Sequence, residues 1–212
     1  MVRQLTPAAE TRAEILVVNS RFIGTLAPAF SVEEARAFIA RIKAEFAGAT
    51  HNVPAFVIGH GASVTAHCHD DGEPAGTAGR PALAVLQGSG LGDAVVVVTR
   101  YFGGTKLGTG GLVRAYGDAV RAVLAVTPRA EKLTTQVVMV SVPYSSFERV
   151  RLLVASFQGL MLDESFGADV TLTARFRLEQ TTAFQEALRE LSHGMLEAVV
   201  VETNPDTLAP VG

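Results

Sequence analysis

Two stretches of the chain concentrate the side chains that could do chemistry. The first, His67-Cys68-His69-Asp70-Asp71-Gly72-Glu73, holds two imidazoles, three carboxylates and a thiol. Those groups are ligands for zinc and other divalent cations, and a metal bound there would activate water for hydrolysis. The spacing suits such a site less well. His67 and His69 share one face of an extended segment, Asp70 and Asp71 diverge, and no second histidine-rich element exists beyond His51 and His60. The other reading is a tight turn, in which the Asp carboxylates accept backbone N–H groups and glycine supplies a positive φ. On that reading, which we favour, His69, Asp70, Asp71 and Glu73 belong to a recognition surface.

The second stretch runs Arg100-Tyr101-Phe102-Gly103-Gly104-Thr105-Lys106-Leu107-Gly108-Thr109-Gly110-Gly111-Leu112-Val113-Arg114. It follows an apolar run and enters a helix, so glycine N–H groups and a helix N-terminus face solvent where phosphate or carboxylate oxygens dock. It is not a Walker loop, because Lys106 lies between the glycine pairs and no Lys-Ser or Lys-Thr follows a glycine at the helix start. The positions of Gly108, Gly110 and Val113 break a dinucleotide fingerprint as well. What remains is a basic, aromatic, glycine-rich surface. Arg100, Lys106 and Arg114 offer charge to an anion, Tyr101 and Phe102 offer stacking, and Gly103, Gly104, Gly108, Gly110 and Gly111 offer bare backbone.

Nucleophilic catalysis has little support: no Gly-x-Ser-x-Gly elbow is present, and Cys68 has no paired base beyond its histidine neighbours. The single cysteine excludes an internal disulfide framework and a cysteine-only zinc site. No apolar run reaches the roughly 18 residues of a membrane helix, and Met1–Glu14 lacks the apolar core of a secretory signal. The expectation is a cytoplasmic protein with no membrane contact. Net charge is −3, too near neutral to announce a nucleic-acid binder. The average hides an asymmetry: residues 1–130 carry 12 basic against 10 acidic side chains, and residues 131–212 carry 6 against 11.

These stretches need elements to position them. Glu14–Asn19 and Phe22–Ala27 read as strands; Ser31 with Glu34 caps a helix whose stripe is Ala35, Phe38, Ile39, Ile42 and Phe46, with Gly48 as its stop. Val53–His60 reads as a strand, Pro81–Gln87 as a short helix, and Ala94–Val98 as a central strand buried on both faces. From about Gly110 a long helix buries Leu112, Ala115, Tyr116, Ala119, Val123 and Val126 and closes before Pro128. The polar segment Pro128–Thr135 is placed as a linker. Beyond it, Gln136–Val142, a helix capped by Ser145 and Glu148, the hairpin Leu160–Ser165 and Val170–Leu178, a helix capped by Thr182 and Gln185, and Leu196–Val201 give the order βαββαβ. Residues 203–212 read as a loose tail.

The two motifs, His69 to Gly79 and Arg100 to Tyr116, resemble the signature of the IMPACT family in its bacterial YigZ branch. The resemblance is strong over residues 14–127 and rests on pattern alone beyond them. It implies an α+β protein of two domains. Residues 1–130 would form a βαβ-type domain similar to the second domain of small-subunit ribosomal protein five and to domain IV of elongation factor G. Residues 131–212 would form a ferredoxin-like βαββαβ domain similar to domain V of that factor. It also implies translation-linked regulation. It brings no established catalytic residue, and control of a stress kinase belongs to an additional domain of the eukaryotic branch.

The expectation is therefore a non-enzymatic regulator of translation or stress response without a cofactor, binding RNA, the ribosome or a protein of the translation machinery. Three phosphate contacts, from Arg100, Lys106 and Arg114, would give a salt slope of roughly −2 to −3. The alternative is a metal-assisted hydrolase using His67, His69, Asp70, Asp71 and Glu73. The oligomeric state is not set by these observations.

Overall fold

The computed structural model describes residues 4–61 and 63–211. The chain divides into two compact units, Met1–Glu131 with Leu208–Gly212, and Lys132–Thr207. Among the described residues no helix is long and apolar enough to cross a membrane.

The first unit opens with the short strand β1 (Leu5–Pro7) and a hairpin, β2 (Thr11–Val17) and β3 (Ser20–Pro28). Val18 and Asn19 turn the hairpin with φ of 45° and 65°, the two-residue geometry that matches strand twist. A β-branched residue in that conformation is strained. Helix α1 (Val32–Glu45) starts as expected: Ser31 Oγ accepts the Glu34 N–H at 3.1 Å, and Glu34 Oε2 reaches back to the N–H of Phe30 at 2.8 Å. Its end is set at Phe46, whose N–H returns to Ile42, before Gly48 is reached. Strands β4 (His51–His60) and β5 (Ser63–Cys68), helix α2 (Gly79–Gly88), strand β6 (Ala94–Tyr101) and helix α3 (Gly108–Val126) complete the unit. Strand β5 gave no periodic signal because it lies at a sheet edge with most of its residues exposed.

The sheet order is β2-β3-β6-β4-β5, with neighbours antiparallel. Each crossover helix therefore spans an inserted strand: β6 lies between β3 and β4, and β4 lies between β5 and β6. Strand β6 is central, and its run of valines is buried on both sides. Ala94, Val96 and Val98 pack with α2 and α3, whereas Val95 and Val97 pack with Ala35, Phe38 and Ile42 of α1. This two-sided burial explains an unbroken apolar run.

The second unit is built on β7 (Arg129–Val142), α4 (Phe147–Ser156), β8 (Leu160–Phe166), β9 (Val170–Arg177), α5 (Leu178–Leu191) and β10 (Val199–Pro210). The order β10-β7-β9-β8 is that of the ferredoxin-like βαββαβ arrangement. One face of β9, from Val170 through Leu172 and Ala174 to Phe176, joins Val150, Val154, Phe184 and Leu188 in the core.

Several expectations change here. Pro128–Thr135 is not a linker: strand β7 starts at Arg129, pairs with β1 through Leu5↔Glu131, and runs on into the second unit. Residues 203–210 are not a loose tail but the body of β10, where Thr135 bonds Thr207 and Lys132 bonds Asp206. Both segments are polar because they are only half covered, which hides a strand from a hydrophobicity pattern. Two caps differ as well. Ser145 lies in a 3-10 turn, Tyr144–Ser146, and Glu148 pairs with Arg151. Helix α5 follows β9 without a loop, so Thr182 lies inside it and Gln185 bonds the Ala198 carbonyl.

Candidate functional site

The acidic segment folds as a turn. Asp71 and Gly72 take φ of 49° and 89°, and the Glu73 N–H closes on the Asp70 carbonyl at 3.0 Å. The Asp70 carboxylate accepts the N–H groups of Gly76, Ala78 and Gly79 at 2.8–3.1 Å, tying the loop to the start of α2. Burial acts to raise its pKa, yet the three backbone donors outweigh it and the net shift is downward. Asp71 behaves alike: burial opposes ionisation, but Lys43 and the Asn52 N–H, at 2.5 and 2.7 Å, hold its pKa below the ordinary value.

His69 Nδ1 accepts the Asp71 N–H at 2.9 Å, and the exposed His67 ring lies 5.5 Å from that of Phe56. The five potential ligands are thus spread over separate tasks. Among the described residues no group of three or more could hold a metal ion. Burial, and then the charge of Asp70, push the Cys68 thiol above its ordinary pKa, the opposite of an activated nucleophile.

Glu73 takes a different direction. Its side chain is 3% exposed and its Oε1 accepts Arg100 Nη1 at 2.6 Å and the Tyr116 hydroxyl at 2.8 Å, with His51 Nε2 3.7 Å away. Arg100, 5% exposed, lies between the rings of Phe22 and Phe102 at 5.4 and 5.6 Å, and its Nε has no partner among the described residues. Burial, and then the bond to Glu73, raise the Tyr116 phenol far above its usual pKa, so it acts only as a donor. Removing one partner from a buried pair of this kind costs about 3–5 kcal/mol.

The glycine-rich loop closes over this pair. Phe102 N–H donates to Thr50 Oγ1 and Gly103 N–H to Ser20 Oγ, both at 3.1 Å. At Gly103 a Cβ would meet the Asn19 carbonyl oxygen at 2.0 Å, so only glycine lets the loop lie against the hairpin. Helix α3 then starts at Gly108 after Leu107, with no side-chain cap and no acid in its first turn. Its leading N–H groups are left for a ligand or water.

Between these parts is a cleft of about 390 Å³ lined by Thr50, His51, Glu73, Pro74, Arg100, Phe102, Lys106, Leu107, Gly108, Thr109 and Leu112. The acidic turn and the basic loop therefore meet, but only through Glu73, Arg100, Phe102, Lys106 and Gly108. Asp70, Asp71 and His69 stay within the turn's framework. Tyr101 leaves on the other side of β6, with Arg21 over its ring at 5.7 Å. Arg114 lines an adjacent recess with Val17, Val18 and Gly111, and Lys106 and Leu107 border both hollows. Gly104 has φ +85°, whereas Gly110 has an ordinary helical backbone and open space where a Cβ would stand.

Sequence reasoning missed His51, Thr50 and Thr109, and it placed Tyr116 in the core without its role. A tyrosine on a wholly buried stripe was the available signal, since its hydroxyl needs a partner. The contribution of His51 comes from the far end of another strand, and nothing in its neighbourhood announces it.

Comparison with known proteins agrees with this construction. The Impact N-terminal domain matches residues 18–124, and a domain of unknown function, DUF1949, matches residues 140–195. An IMPACT family member of Haemophilus influenzae is 38% identical over 95% of this chain and 98% of its own length. YigZ of Escherichia coli, also an IMPACT family member, is 36% identical over 93% of this chain and 98% of its own length. A crystal structure of a protein described as hypothetical superposes with a TM-score of 0.63 at 37% identity, covering 95% of this chain and 98% of that one. Two motifs, two domains and relatives matched over nearly their whole length lead to one conclusion: the chain belongs to the IMPACT family.

Proposed function

We propose that this protein is a non-enzymatic, translation-linked regulator that binds single-stranded RNA through the cleft of its first unit. The observation that carries the reading is the convergence, on one concave surface, of an exposed aromatic ring, a lysine and an uncapped helix N-terminus. Phe102 is 46% exposed and Lys106 is unpaired by any described residue. A base stacks on such a ring, and its phosphate meets the lysine and the helix N–H groups. The translational setting comes with the family that the two motifs identify.

Arg100 does not contact phosphate on this reading. Its guanidinium is buried against Glu73, so it stiffens the wall of the cleft. Lys106 and Arg114 remain as exposed cations, and two contacts on a single strand give a salt slope of about −1.4. Fluorescence anisotropy with a labelled single-stranded RNA across salt concentrations tests this. Lys106→Ala and Phe102→Ala each weaken binding, and affinity unchanged in both variants refutes the surface.

A further inference from the structure

Beside the cleft lies a second hollow, and one of its walls is strained. The β2–β3 hairpin turns on Val18 and Asn19, both at positive φ, with Val17 paired to Ser20 on either side of this two-residue loop. Such a loop is the natural place of Asn, Asp or Gly, because a Cβ crowds the backbone at positive φ and a branched side chain crowds it most. Valine stands there at a cost to the fold. Its side chain does not recover that cost by burial, since Val18 is 56% exposed. Strain held at an exposed position points to a task outside the core.

The surroundings of Val18 indicate the task. With Val17 it lines a recess of about 380 Å³, the size of a small-ligand pocket. Leu107 and Ala115 add apolar surface, and Lys106 and Arg114 are its cations. The Asp118 carboxylate beside them is bonded to Arg121 at 2.6 Å. Lys106 and Leu107 also line the cleft that contains Phe102, so the two hollows adjoin. Together they offer two apolar surfaces and two cations. A single nucleic-acid strand presents the complement, one flat base and one phosphate for every residue.

We propose that the recess is a second nucleotide subsite, in which the face of the neighbouring base lies on Val17, Val18 and Leu107 while its phosphate meets Arg114. The inference rests on the RNA-binding reading and lengthens the footprint to two adjacent nucleotides.

The experiment takes two readings on the full-length protein: affinity for a labelled nine-uridine strand by anisotropy, and melting temperature by circular dichroism. Val18→Asn puts a residue suited to the turn in place of the apolar wall. It raises the melting temperature by about 2–4 °C and weakens RNA binding about fivefold. Stability and affinity thus move in opposite directions, which a valine that only served the fold could not produce. Arg114→Gln also weakens binding and flattens the salt slope by about 0.7, the value of one phosphate on a single strand. A strand in which every second nucleotide is abasic keeps its phosphates but fills one hollow at a time. Wild-type protein binds it more weakly than the uridine strand, and Val18→Asn then costs nothing further. Unchanged affinity in Val18→Asn, or an unchanged slope in Arg114→Gln, gives the recess to another partner, such as an acidic peptide with apolar side chains. Either result overturns the subsite and leaves the RNA-binding reading on Phe102 and Lys106. A melting temperature that does not rise overturns it too, as does a wild-type dimer in sedimentation that Val18→Asn dissociates. Absence of binding to either strand at low salt overturns both readings.

Discussion

At the scale of single residues, Glu73 is the point on which the site depends. It is buried, it comes from the acidic turn, and its partners Arg100 and Tyr116 come from β6 and α3. Glu73→Ala leaves a buried guanidinium without its counter-charge and is expected to cost about 3–5 kcal/mol. Tyr116→Phe removes one hydrogen bond to a charged group, about 1.5–3 kcal/mol. Urea unfolding monitored by circular dichroism measures both, and the two costs should fall in that order. The aspartates make a separate prediction about acid. Asp70 and Asp71 have folded-state pKa values below their ordinary ones. Their stabilisation is therefore complete above the unfolded carboxylate value, about 3.9, and is lost as pH falls through the lower folded values. In that interval the unfolded chain binds more protons, so stability rises with pH. Asp70→Asn flattens the acid limb of a stability-against-pH curve; an unchanged limb would show that the three backbone bonds do not depend on charge.

At the scale of elements, α3 departs from an ideal helix in a way that points outward. Gly110 sits in its first turn with no positive φ and no neighbour to exclude a side chain. Alanine there is expected to stabilise the protein by about 0.5–1 kcal/mol, through a less flexible unfolded chain. The same methyl would stand on the surface that RNA approaches, so Gly110→Ala should raise the melting temperature and weaken RNA binding together. A gain in stability with no loss of binding would put the RNA elsewhere. Element boundaries show which signals sequence carries well. The capping pair at Ser31 and Glu34, the doubly buried run at Ala94 and the stripe of α3 were legible because each depends on neighbours in sequence. Strand β5, the part of β10 beyond Val201 and the first half of β7 were not, because partial exposure erased the alternation that marks a strand.

At the scale of the whole molecule, the charge asymmetry agrees with an RNA surface confined to the first unit. Residues 1–130 carry a net +2 and residues 131–212 a net −5. Hydrogen exchange on the full-length protein should therefore slow on RNA addition within Phe102–Arg114 and the Asp70–Glu73 turn and remain unchanged across Lys132–Thr207. Protection on β9, where Arg175 and Arg177 lie, would move the surface to the second unit. By itself, the sequence determined the α+β class, the ferredoxin-like order of the second unit and membership of the IMPACT family, because periodicity, caps and the two long motifs are local properties of the chain. Tertiary structure alone decided which motif residues share a site. Asp70 is spent on backbone N–H groups nearby, and Asp71 on Lys43 and the Asn52 N–H. Glu73, two residues further on, crosses to meet an arginine on the central strand, a tyrosine on a helix and a histidine from another strand. That sorting is made by burial and by contacts between residues distant in sequence, and no spacing along the chain records it.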